Sequence, residues 1–150
     1  MPDYNKIVAF FDEYIVHYKE FLNFEYSKLD MINKGEIEKL SNALSSEQAL
    51  IMKTNSYESK RLKLLEGMSD TSFEQLAKTA PKEFQERLSD QHMEMSRLVF
   101  KIKELNDMAN IVISERLKKI QKKTAELDVY DGKGALKREH ASKAAISKNV

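Results

Sequence analysis

From Lys82 to Leu127 the chain runs without a glycine or a proline. Along that stretch Phe84, Leu88, Met95, Leu98, Ile102, Leu105, Ala109 and Val112 recur in steps of three, four or seven residues, the spacing of one helical stripe. Ala80-Pro81 immediately before it disfavours helix through Ala80 and suits Pro81 to the first helical position. At ~1.5 Å per residue the predicted rod is on the order of 70 Å long, well beyond an ordinary globular helix. A straight helix cannot bury its own stripe. The rest of the chain must supply partners along its length, or another molecule must.

The preceding residues supply two shorter helices. With Asp3 as N-cap, Val8, Phe11, Ile15, Tyr18, Leu22, Leu29 and Ile32 form a stripe over about 3–33, interrupted at Glu25. Gly35 suits a left-handed cap, and so short a turn makes the next helix, about 36–66, antiparallel to the first. Its expected inward residues are Ile37, Leu40, Leu44, Ile51, Leu62 and Leu65, with Gly67 as the stop. The middle of that helix is polar, with Glu47 or Gln48, Asn55 and Glu58 near the seam. Thr71 with Glu74 forms a capping box for a short helix at about 72–79.

The predicted class is all-α: an elongated, antiparallel three-helix coiled-coil-like bundle over residues 1–127, with a short connecting helix. Four glycines and two prolines in 150 residues are too few for a turn-rich β fold. Residues 128–150 change character. The glycines of DGKG break the helix, and the Ala/Ser/Lys-rich remainder holds only Leu136 and Ile146 as sizeable apolar groups. That segment reads as a flexible or weakly helical tail, with ordering on a partner as the alternative.

Charge and chemistry narrow the function. Twenty-five basic and 24 acidic residues are interspersed, so no strong field exists to hold nucleic acid or an anionic bilayer. The longest apolar run, IVAFF at 7–11, falls far short of the ~20 residues of a membrane span. MPDYNK lacks the layout of a signal peptide, so the expected location is the cytoplasm. There is no cysteine, His17, His92 and His140 are scattered, and no Glu-x-x-His pair occurs of the kind that holds a di-iron centre. We therefore expect no catalytic residue, no metal site, no cofactor and no enzymatic activity.

One local feature resists a purely structural reading. In ELNDMANIVISERLKKI, residues 104–120, Asn106 and Asn110 fall one turn apart on the face of Ile113, Leu117 and Ile120. A buried amide without a partner costs about 1–3 kcal/mol. Either the pair forms a polar layer that fixes helix register, or this half of the long helix lines a groove for an incoming chain.

The layout and three local segments resemble the flagellar export chaperone FlgN family. ESKRLKLL at 58–65 is similar to the E-x-x-R-x-x-LL close of that family's second helix. ELNDMANIVISERLKKI resembles its L-x-x-x-N-x-x-L/I segment, and VYDGKG at 129–134 its Tyr-then-Gly exit from the third helix. The resemblance spans essentially the whole chain, although the tail after Gly134 is less amphipathic than the family's partner-binding region. It implies a cytoplasmic chaperone that binds hook-associated proteins, keeps them unassembled before export, and contacts components of the export apparatus. It also marks Asn110, Ile113, Leu117 and Tyr130 as partner-binding positions. Stripe geometry adds Ile120 and Leu127, and Leu136 joins them as the tail's first large apolar residue. The alternative is a coiled-coil adaptor acting by partner-helix binding or as a homodimer.

Overall fold

The computed structural model describes residues 2–68 and 72–131, the last four as backbone alone. It contains α1 (Tyr4–Lys34), α2 (Ile37–Leu64), α3 (Phe73–Thr79) and α4 (Lys82–Asp131). Among the described residues no helix is long and apolar enough to cross a membrane.

Local chemistry accounts for the ends. Asp3 caps α1 by accepting from the Lys6 amide at 3.2 Å. Gly35 closes it at φ +70°, a conformation that strains any residue with a Cβ, and its amide returns to the Ile32 carbonyl. Ser72 rather than Thr71 caps α3, its hydroxyl accepting from the Gln75 amide; Thr71 lies outside the described residues. α4 runs four residues past the expected Leu127, because nothing before Gly132 breaks it.

The three long helices run up, down and up, with α1 in the middle. Tyr14 to Glu58, His17 to Thr54 and Lys28 to Glu47 fix α1 against an antiparallel α2. Tyr4 stacked on Phe84, Gln91 donating to the Val8 carbonyl and Arg116 donating to the Asn33 carbonyl fix α1 against a parallel α4. Among the described residues no Cα of α2 lies within 8 Å of a Cα of α4. On one side of the bundle these two helices therefore do not pack backbone against backbone. Near the start of α1 that side is closed by α3, whose Leu76 is buried and whose neighbouring Phe73 stacks on Phe11 with ring centroids 3.9 Å apart. There the main core gathers Ile7, Phe11, Tyr14, Leu65, Leu76, Leu88 and Leu98.

The stripes expected on α1 and α4 lie on the packed side: Val8, Phe11, Ile15, Ile32, Leu88, Met95, Leu98, Leu105 and Ala109 are buried, and the remaining members are half-buried. The phase expected for α2 is corrected. Ile37 is 79% exposed, Ile51 and Leu62 are also exposed, Leu40 and Leu44 are half-buried, and only Leu65 of the expected set is buried. The contacting line is Ala43, Glu47, Leu50, Thr54, Tyr57, Arg61 and Leu64, all buried or half-buried. Both lines keep helical spacing. Partners on α1 select the second: Tyr57 stacks on Tyr14 at 4.9 Å, and Thr54 accepts from the His17 ring while donating to the Leu50 carbonyl. Burial, then the nearby Lys53 charge, holds His17 below its ordinary pKa against the opposing pull of Glu20. With the Thr54 hydroxyl proton directed at Leu50, the neutral ring that donates through Nε2–H completes the pair.

Candidate functional site

Asn106 and Asn110 part company in the folded chain. The Asn106 Oδ1 accepts from Lys28 Nζ at 3.0 Å, and the same ammonium reaches Glu47 Oε2 at 2.5 Å and Glu25 Oε2 at 2.9 Å. This is a polar layer joining α1, α2 and α4 through side chains. One residue type at one turn's remove has a different task. Asn110 faces a cavity of about 310 Å³ that lies immediately beyond the layer, where the gap between α2 and α4 is uncovered.

Three helices build that groove. Met31 and Ile32 form its floor at the end of α1, Ile37, Leu40 and Leu44 its α2 wall, and Asn110, Ile113, Leu117 and Ile120 its α4 wall. The floor ends at Gly35, where Arg116 donates to the Asn33 carbonyl at 2.6 Å. A Cβ at Gly35 would meet the Arg116 guanidinium at 3.4 Å, an ordinary contact, so it is the positive φ of the turn that calls for glycine there. Leu117 is buried, Ile113 is half-buried, and Ile120 is 54% exposed at the rim. Four of the seven sequence-derived positions thus converge on one surface. Leu127, 61% exposed, lies two turns farther along α4 where the helix passes the hairpin tip, and Tyr130 falls on the last described turn. Leu136 lies outside the described residues.

Sequence reasoning missed the opposite wall. Ile37, Leu40 and Leu44 step as core residues should, but so does the line that does pack on α1. The available signal was a helix with two adjacent stripes, one of them more than a single partner could cover.

The polar layer has an acid–base character of its own. Burial pushes the Glu25 carboxyl up to about 7, and the hydrogen-bonded Glu47 carboxyl adds to that, while Lys28 pulls it back down. Folding therefore takes up a proton at Glu25 above its ordinary 4.5. That contribution to stability is complete below pH 4.5 and is lost as pH rises through about 7. Glu25→Gln should remove this slope and stabilise the protein at pH 8 by about 1–3 kcal/mol. Urea unfolding across this range reads it; an unchanged slope in the variant would assign the titration elsewhere.

The two histidines among the described residues pack against neighbouring side chains. His17 is buried against Thr54, and His92 meets the Phe73 ring edge-on. His140 lies outside the described residues.

Residues 1–136 match the family model described as FlgN protein. No curated protein and no solved structure matches the chain.

Proposed function

The chain belongs to the FlgN family, whose members act as flagellar export chaperones, and on that premise we propose that it binds a terminal helix of hook-associated proteins in the groove between α2 and α4. The open groove carries this reading. At one end of the bundle α3 lies against α4 and fills the gap over α1 with Phe73 and Leu76. At the other end no segment among the described residues does so, although the walls there are apolar. A cargo helix set between Ile37, Leu40 and Leu44 on one side and Ile113, Leu117 and Ile120 on the other would complete the bundle, helix in groove.

The energetics favour a chaperone's reversible grip. Fully burying one large aliphatic side chain contributes about 1.5–3 kcal/mol, and ordering a cargo segment offsets part of the sum. The Asn110 amide offers a hydrogen bond to a polar side chain of the incoming helix. Leu127 and Tyr130 extend the contact along α4, with Leu136 as a further contact in the tail. The work is done in the cytoplasm before export, and the loaded chaperone then meets the export apparatus.

Ile113→Ala combined with Ile120→Ala should weaken capture of the terminal segments of hook-associated proteins by about 10- to 100-fold while leaving helicity intact. Co-purification and titration of the purified pair measure it, with circular dichroism as the control. Undiminished binding would move the cargo site off this groove. A tight homodimer in sedimentation, with no affinity for those segments, would instead favour the adaptor reading.

A further inference from the structure

One stretch of α4 beside the groove is rich in basic residues. From Glu115 to Glu126 the sequence ERLKKIQKKTAE holds five basic residues against two acidic ones at its ends, in a chain whose formal net charge is only +1. Lys118, Lys119, Lys122 and Lys123 are exposed, and none has an ion-pair partner among the described residues. Other exposed cations of the chain are paired, Lys34 with Asp30, Lys39 with Glu36 and Arg97 with Glu94; what sets this run apart is that four unpaired lysines fall within six residues. The run is not explained by the helix dipole, which favours cations within the last turn, because α4 continues to Asp131. At helical spacing Lys119 and Lys123 lie in line with Arg116, beside the stripe of Ile113, Leu117 and Ile120.

Resting on the groove reading, we propose that the occupant is an amphipathic helix of a partner protein whose apolar stripe is bordered by carboxylates, on the edge that meets Lys119 and Lys123. Two other occupants fit the charge less well. Residues 132–150 of this chain carry five basic residues against one acidic, the same sign as the wall. A second copy docked groove to groove about a two-fold axis would bring one lysine run against another. Like charges so placed repel, and the repulsion is screened by salt.

The test uses the full chain and three synthetic helical peptides that share one Leu/Ile stripe and differ only in having Glu, Gln or Lys along its edge. Fluorescence anisotropy reads their affinities at about 50 mM and about 500 mM salt, where screening differs severalfold. The Glu-edged peptide is expected to bind about 10-fold more tightly than the Gln-edged one at low salt, with most of the advantage gone at high salt. The variant K119E/K123E should reverse the order in favour of the Lys-edged peptide, whereas Ile120→Ala should weaken all three alike.

Equal affinities for the three peptides would overturn the charge inference and leave the groove reading standing. If none binds, both fail. Sedimentation as a dimer that dissociates on adding peptide would make a second copy the occupant and overturn the proposal. So would energy transfer between dyes at Lys118→Cys and Ser147→Cys that collapses on adding peptide, since the chain's own end would then fill the groove.

Discussion

Lys28→Ala should cost the protein about 3–5 kcal/mol at pH 8, the usual penalty when one partner of a buried ion cluster is removed. The lysine is the one cation within reach of the Glu25 and Glu47 carboxylates among the described residues, and its ammonium also holds Asn106 on α4. Without it, two carboxylates drawn from water face each other across α1 and α2. The loss should shrink at pH 5, below the raised Glu25 value, because a protonated carboxyl needs no counter-charge. Glu47→Gln in the same chain should recover part of the stability at pH 8. Urea unfolding of the single and double variants at both pH values gives the comparison. A loss below about 1 kcal/mol at pH 8 would mean that water, not Lys28, satisfies those carboxylates.

Phe11→Ala should be comparably severe for a different reason. The ring is almost wholly buried, touches the main core and stacks on Phe73. Truncating such a side chain costs about 3–5 kcal/mol through lost burial and the cavity left behind. For a chain of this size that corresponds to a fall in Tm of roughly 10–15 °C. Amide exchange should show α3 losing protection first, since Phe11 is the seat on which Phe73 rests. Phe73→Ala, by contrast, should loosen α3 while sparing α1, because Leu76 keeps its own burial. Equal loss of protection throughout both variants would show α3 to be part of one cooperative unit with the long helices.

Much of this architecture was legible because it depends on residues close together in sequence. Asp3 and Gly35 act within a turn of themselves, so the ends of α1 could be read directly. The long stripe from Leu88 to Ala109 left no alternative to helix, and its recurrence fixed which side of α4 is buried. The α4 wall of the groove followed from the same stripe. The question of Asn106 and Asn110 was visible but could not be answered, because the answer depends on where Lys28 stands, far away in the chain.

The α2 phase shows the limit most clearly. Ile37, Leu44 and Ile51 recur every seven residues, and so does the pair Ala43 and Leu50 beside them. Hydrophobic periodicity alone prefers the bulkier set. The protein packs the other, since Thr54, Tyr57 and Glu47 have partners waiting on α1 and those specific contacts outweigh the extra aliphatic area. The displaced aliphatics then became a groove wall.

The sequence by itself determined an all-helical chain, the approximate limits of its helices, and an excess of apolar surface on the far half of the last one. Only the tertiary structure decided that α2 stands away from α4, that a short helix fills the gap at one end, and that the other end is open. The division has a physical cause. Helix formation and capping are set by interactions within a few residues, whereas the separation of two helices is set by the side chains of a third that lies between them.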